Sequence, residues 1–550
     1  MLASRVIALS CIVLFIFSAS ARASDEDLDF IDASVLVPGE TGYGLTVLYG
    51  DSVIRFPVTF VGRLENAMVT QDMILIRLVG EPFDKSGIIQ GMSGSPIYFR
   101  GKLLGALAYG WQFAKDPIAG VTPIKLMVRL LAEQAADTRM PMADHPPRGM
   151  RSLAAPLSVA GLSPDRKGEA WRRVESLGYL AAAGGRASGR ARLQPGSAIG
   201  VRLVDGDLSL TAIGTVTYVR DSGVIAFGHP FLNRGLSRMP MTGARIETIL
   251  PAADISFKMG SASEDVGAIL RDAQPGISGS LGEAPAMIPM SVAIDAPWGS
   301  NRYSFRICRD DAITNVLFDI AWASAAEAGA YTAGPAGAEV SVSLVVGGRE
   351  VTLKDKGVVE RSILDMMPTV PLRILYDNPF MRIHPDSVAI HISFNDDRRS
   401  HEIVSMKPLV AAAEPGEIVP VDLVFRSYDA GRWIHRVMVA VPAGFPEGLL
   451  TLTAGGGRGL GRTDLPEPVN MDLLLDRLES YEPSNMLVLY GLGDGGRNLE
   501  VEGGILPALP PSLRKIQSGL DRASTGFTQT ETMDATVFGR ANAQIMIRRK

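Results

Sequence analysis

Along the first third of the chain, apolar residues fall in short β-branched or aromatic runs closed by glycine or aspartate. Gly42-Tyr43-Gly44-Leu45-Thr46-Val47-Leu48-Tyr49 and Met73-Ile74-Leu75-Ile76-Arg77-Leu78-Val79 therefore read as strands. Ile97-Tyr98-Phe99, an Arg100-Gly101 turn and Leu103-Leu104-Gly105-Ala106-Leu107 read as a β-hairpin. The period then changes. Thr122-Pro123 offers an N-cap and a proline at the first helical position. Ile124, Met127, Val128 and Leu131 follow at helical spacing, which predicts a helix ending near Ala136.

Residues 137–195 carry Pro141, Pro146, Pro147 and Pro156 without a sustained period and read as a linker holding one short helix. That helix is expected from Ser163-Pro164 to about Leu180, with Trp171, Val174 and Leu177 on one side. Gly185 to Arg192 is expected to be flexible or protease-sensitive. Strand patterns resume over 196–335 at Ile199–Val204, Leu208–Val219 and Gly223–His229. Regularly spaced alternating strands over 338–460, such as Ala389–Phe394 and Ile418–Phe425, suggest an immunoglobulin-like β-sandwich. Residues 461–550 are expected to form a small α/β region. Its helix is capped by Asn470, with Met471, Leu474, Leu475 and Leu478 on one face, and its last thirty residues are expected to fray. The class is mostly β.

The N-terminus changes the picture of where such a fold would work. Arg5, the apolar run Val6–Phe17 and Ala21-Arg22-Ala23 have the form of a secretion signal over 1–23, so export to the periplasm or cell envelope is expected. Cleavage would remove Cys11 and leave Cys308 alone, with no intramolecular disulfide. With 46% hydrophobic residues in 550, packed cores must carry the stability instead. A net charge of −5 without a long basic run argues against a nucleic-acid partner. Six scattered histidines without an H-x-x-x-H or Cys/His cluster argue against a metal, and no cofactor is expected.

Chemistry concentrates in Gly91-Met92-Ser93-Gly94-Ser95-Pro96, which has the G-x-S-G-x-P form found around the nucleophile of chymotrypsin-like serine peptidases. A serine hydroxyl is a weak nucleophile, so its backbone must expose Oγ while adjacent N–H groups face the oxyanion. Glycines allow that turn, and Pro96 sets the exit into the next strand. Ser93 is the candidate nucleophile, with the N–H groups of Gly91 and Ser93 as the oxyanion hole. The hairpin that follows leads to Ala108, Tyr109 and Gly110, where related peptidases pair with the substrate strand; core packing of Tyr109 and Trp111 is the alternative. Gly276-Ile277-Ser278-Gly279-Ser280 lacks the following proline and hairpin and reads as a structural turn.

The run Ser86–Leu107 resembles the nucleophile segment of the SpoIVB-type serine peptidases, the sporulation stage IV protein B family. Gly223-Val224-Ile225-Ala226-Phe227-Gly228-His229 is similar to that family's segment ending in glycine-histidine. The resemblance spans roughly residues 40–300 and extends to Ile199–Leu203, Ala212–Thr217 and Pro275–Leu281. It implies a chymotrypsin-like double β-barrel, a general base at His229 and a protein or peptide substrate.

Three departures accompany it. Ser93 precedes His229 here, whereas the family has the histidine first, so a permuted order is expected. The family's aspartate upstream of the serine has no counterpart, since the stretch reads Arg77-Leu78-Val79-Gly80. No PDZ segment is recognisable. Asp72, Asp84, Asp221 and Asp254, a backbone carbonyl, or a bare Ser/His dyad remain open as the orienting element. A non-catalytic envelope module that binds another protein through the cleft or sandwich is the alternative function, and self-cleavage within 137–195 is a third.

Overall fold

The computed structural model describes residues 30–549, apart from 69–70, 112, 133–149, 163–167, 330–335, 360–367, 428–429, 458–467, 494–497, 502–503, 507–521 and 524–525. The signal-like segment 1–23 lies outside the described residues. The first unit holds β1 (Thr41–Val47), β2 (Val53–Met68), β3 (Gln71–Leu78), β4 (Ile89–Gln90), β5 (Pro96–Phe99), β6 (Lys102–Trp111), β7 (Ile118–Pro123) and β8 (Met150–Ser152). Pairing runs β5-β1-β2-β3-β7-β6, and β6 returns to β5, so six strands close into a ring with β8 added outside β6. Alternate residues point inward. Phe56, Val58 and Phe60 of β2 meet Ile74, Ile76 and Leu78 of β3, with Ile97, Phe99, Leu104, Leu107 and Val121, in one apolar core. The β5–β6 hairpin turns at Arg100 (φ +52°) and Gly101 (φ +77°), two left-handed residues that match the twist of the flanking strands. The helix expected from Thr122 is two single turns, Ile124–Met127 and Arg129–Ala132; beyond Ala132 it lies outside the described residues.

The second unit contributes β9 (Leu157–Ala160), β10 (Ala181–Ala183), β11 (Ala198–Gly206), β12 (Ser209–Arg220), β13 (Gly223–Ala226), β14 (Gly235–Leu250), β15 (Ser256–Ala273), β16 (Gly276–Leu281), β17 (Ile288–Ala296) and β18 (Gly299–Ile307). Here β11-β12-β13-β16-β15-β14 closes back on β11, a second six-stranded ring. The rings are stitched together where β4 of the first runs parallel to the start of β15 in the second, Ile89 opposite Ser256 and Gln90 opposite Phe257.

Three expectations change in the C-terminal half and the linker. Strands Ala336–Val346, Arg349–Val359 and Ser387–Asn395 do not join a sandwich. Ser387–Asn395 pairs parallel with β17, extending the second sheet over the helix Thr314–Gly329, whose buried Leu317, Phe318, Ala321 and Ala325 join the same core. A separate sheet system instead combines Ser400–Pro408, Ile418–Ser427, Gly431–Ala440 and Gly448–Gly456 with Met486–Gly493, Gly526–Thr532 and Thr536–Ile547. The last strand, expected to fray, is therefore structural: Val537, Ala541, Ile545 and Ile547 are buried in its core.

The described parts of the 137–195 segment are likewise woven in. β8 pairs with β6, β9 with β12, and the helix Glu169–Ser176 packs on Thr314–Gly329 through Arg173–Asp319 (3.3 Å). Within the supposedly flexible stretch, the Ala187 N–H donates to the Ala262 carbonyl at 2.9 Å.

Candidate functional site

The Ser93 loop is held from inside and from across the seam. Met92 and Ser95 N–H groups donate to the Ile89 (3.1 Å) and Met92 (2.9 Å) carbonyls, and the Gly94 N–H donates to Leu107 O on β6 (2.7 Å). Gly91 (φ +88°) and Gly94 (φ +94°) are both left-handed. A Cβ at Gly94 would lie 1.9 Å from the Thr215 carbonyl oxygen, so only glycine lets the loop touch the second ring. Thr215 and Thr217 of β12 then clamp it. The Thr215 N–H donates to Ser93 O (2.8 Å), Thr215 Oγ1 to Gly91 O (2.9 Å) and Thr217 Oγ1 to Gly94 O (2.8 Å). Ser93 is fully buried, and its Oγ has no hydrogen-bond partner among the described residues. A buried hydroxyl normally finds a partner, and the Ser95 hydroxyl two residues on lacks one as well.

The histidine turn reaches the same seam. After β13, Phe227 and Gly228 (both φ +72°) turn the chain, and Gly228 lies so close to β6 that a Cβ would sit 3.0 Å from Ala106 Cβ. Thr122 Oγ1 donates to Gly228 O at 2.6 Å. The Ser93 loop and the His229 turn thus pack on one stretch of β6, Ala106–Ala108. His229 is buried, with Nδ1 2.8 Å from Pro230 O and Nε2 2.9 Å from Leu153 O. Its imidazole is accordingly not hydrogen-bonded to Ser93 Oγ.

Burial lowers the His229 pKa and favours the neutral ring, which carries a single N–H. If Nδ1–H donates to Pro230 O, Nε2 holds the lone pair a general base needs, and the Leu153 carbonyl stands in front of it. In the other tautomer Nε2–H donates to Leu153 O instead, and in either case the groups facing the ring nitrogens are backbone carbonyls rather than a carboxylate. Three of the four aspartates are engaged elsewhere: Asp72 accepts the Asn66 N–H (2.9 Å), Asp84 that of Gly80 (3.3 Å) and Asp254 that of Ile255 (2.8 Å); Asp221 sits in the β12–β13 turn (φ +53°).

Two buried charges at the seam carry no motif. Asp272 on β15 accepts the N–H groups of Phe231 (2.7 Å) and Leu232 (2.6 Å), fixing the segment after His229, while Tyr179 Oη donates to Phe231 O (2.9 Å). Burial nevertheless pushes its carboxyl up to about 6 from 3.8. Between pH 3.8 and 6 the folded chain holds the extra proton, so this group's contribution is full below that window and is lost as pH rises through it. Urea unfolding at pH 4 and pH 6.5 should show Asp272→Asn without a loss of about 2 kcal/mol that this group imposes on the wild type between those pH values; parallel pH profiles would refute it.

Lys258, also on β15, is buried with Nζ 2.8 Å from Thr46 Oγ1 and 3.4 Å from Thr215 Oγ1. Its stem lies against Gly91, where a Cβ would meet Lys258 Cδ at 3.1 Å. Burial alone pushes the amine down to about 7. Either residue was detectable from sequence only with the inward phase of β15 in hand.

Ala108, Tyr109 and Gly110, expected to pair with a substrate strand, are buried and already paired. Tyr109 lies opposite Ser152, Gly110 opposite Arg151 and Trp111 opposite Met150, and the Leu153 N–H donates to Ala108 O at 2.8 Å. Beside Leu153 opens a cleft of about 160 Å³ lined by Ser86, Ile88, Gly110, Trp111, Ala252 and Asp254. Gly276–Leu281, read as a turn, is strand β16 of the second ring. Among the described residues no three His, Cys, Asp or Glu side chains converge as metal ligands. No protein-family model matches the chain, and no curated protein or solved structure matches it significantly.

Proposed function

We propose that this chain is an exported serine endopeptidase of SpoIVB type, built on a chymotrypsin-like pair of β-barrels in permuted order. One observation carries the reading. The loop of a glycine-flanked serine with an unpartnered Oγ and the Gly228 turn that leads into His229 of the other ring pack against the same three residues of β6. Ser93 Oγ would attack the scissile carbonyl as His229 Nε2 takes its proton, with the oxyanion received by the N–H groups of Gly91 and Ser93. The imidazolium would return the proton to the leaving amine, and water would release the acyl group from Ser93. Pro230 O, rather than a carboxylate, holds the ring. A tagged fluorophosphonate tests this: labelling of the folded wild type that disappears in Ser93→Ala supports it, and labelling insensitive to that change refutes it.

A second reading, a peptidase-like protein that binds a partner without cleaving it, is favoured by the engagement of both His229 nitrogens. It expects Ser93→Ala and His229→Ala to leave cellular function intact.

A further inference from the structure

Both ring nitrogens of His229 face main-chain carbonyls, so what stands behind each carbonyl decides which nitrogen carries the proton. A peptide group is one conjugated unit, and a hydrogen bond made by its N–H polarises the carbonyl at its other end. The carbonyl at Nδ1 is Pro230 O, 2.8 Å away, and the N–H of that same peptide group belongs to Phe231. It donates to Asp272 Oδ1 at 2.7 Å, while the next N–H, that of Leu232, donates to Asp272 Oδ2 at 2.6 Å. The carbonyl at Nε2 is Leu153 O, 2.9 Å away. Its peptide group ends in the Ala154 N–H, which donates to Ser152 O at 2.8 Å. The two peptide groups facing the imidazole thus differ in their backing: one has a carboxylate, the other a neutral carbonyl. Asp272 is also firmly placed. It is fully buried on β15, opposite Gly235 of β14 and Ile277 of β16, and Tyr179 Oη holds the far side of Phe231 through its carbonyl (2.9 Å).

We propose that Asp272 is the positioning carboxylate of His229 and acts through the Pro230–Phe231 peptide group, strengthening Pro230 O as an acceptor so that the proton stays on Nδ1 and Nε2 keeps its lone pair. Hydrogen bonds to an ionised group are roughly twice as strong as neutral ones, and the bond at Nδ1 shares in that gain through the peptide between them. The bond at Nε2 has no charge behind it. The tautomer a general base needs is therefore the one the fold selects. The same polarised carbonyl stabilises the imidazolium once Nε2 has taken the serine proton. In a Ser-His-Asp triad the carboxylate touches the ring. Here one peptide group is interposed, so the acid comes from β15, far in sequence from the serine. The tautomer follows from the hydrogen bonds alone, whereas its use in catalysis rests on the peptidase reading above.

The test compares the full-length wild type with Asp272→Asn, which keeps the shape and one acceptor but removes the charge. Nitrogen NMR of histidine-labelled protein at about pH 8, above the Asp272 pKa of about 6, reads the tautomer, with His229 assigned by the loss of its signals in His229→Gln. The wild type should carry the proton on Nδ1, and Asp272→Asn should shift the balance toward Nε2–H by roughly tenfold or more. With a fluorogenic peptide, the variant's kcat should fall roughly tenfold or more while KM stays within about twofold. A merely structural aspartate would move neither the tautomer nor kcat apart from KM. An unchanged tautomer in folded Asp272→Asn overturns the proposal, as does a shifted tautomer with unchanged kcat. If the variant does not fold, the wild-type spectrum decides: Nδ1–H supports the proposal and Nε2–H overturns it. Absence of fluorophosphonate labelling at Ser93 in the wild type would defeat the peptidase reading alone, and the tautomer would still decide this one.

Discussion

Ser93→Ala is expected to lower peptide hydrolysis by ~10⁴-fold or more while leaving the protein as stable as before, or slightly more so. The two halves of that expectation come from the same atom. Removing the nucleophile of a unit that acts together removes nearly all the chemistry the unit performs, and what survives comes from oxyanion donors and binding. In most buried positions, deleting a hydroxyl would also cost about 1 kcal/mol of hydrogen bonding. Ser93 Oγ makes no such bond among the described residues, and the clamps on its loop run through backbone atoms: Ser93 O to Thr215, Gly91 O to Thr215 Oγ1 and Gly94 O to Thr217 Oγ1. Alanine keeps every one. Kinetics with a fluorogenic peptide, paired with urea unfolding of the same preparation, checks both halves. Loss of activity together with loss of several kcal/mol of stability would mean that the serine holds the seam together and that its chemistry has not been tested by the change.

The seam was legible in part. Its glycines are readable because their work is local: Gly91 and Gly94 sit at φ values that other residues avoid, and Gly228 turns the chain into His229. The helix Met471–Glu479 was equally local, with Asn470 Oδ1 accepting the Leu473 N–H at 2.9 Å. Pairing between distant strands left no such trace. Ala336–Val346 alternates in the same way whether it faces a partner in a sandwich or extends the second sheet through Ser387–Asn395, so its domain could not be read from its pattern. Thr536–Ile547 buries Val537, Ala541, Ile545 and Ile547, but the same phase also holds exposed Gly539 and half-buried Ala543, so the alternation does not stand out. Met150–Ser152 is shorter than any periodicity test.

Lys258 shows the remaining limit and supports the sharpest stability test. In Ser256-Phe257-Lys258-Met259-Gly260 a lysine reads as an outward residue, and only the pairing of β15 with β4 and β14 turns it inward onto Gly91. Its amine loses a proton near pH 7 when folded and near 10.5 when unfolded. Between those values the unfolded chain binds the extra proton, so stability rises with pH across the window, and below it the full cost of burying the cation is present. That cost is about 5 kcal/mol. Lys258→Met keeps the apolar stem beneath Gly91 and removes both the cost and the bonds to Thr46 and Thr215, worth about 1 kcal/mol each. The variant should therefore be more stable than wild type by about 3 kcal/mol at pH 6 and less stable by about 2 kcal/mol at pH 10.5, crossing between. Urea midpoints across this range decide it; a pH-independent difference would show that the amine titrates normally. Activity separates its roles. With His229 as base, the methionine variant keeps its turnover within a few fold, whereas a loss comparable to that of Ser93→Ala would move the base from the imidazole to this amine.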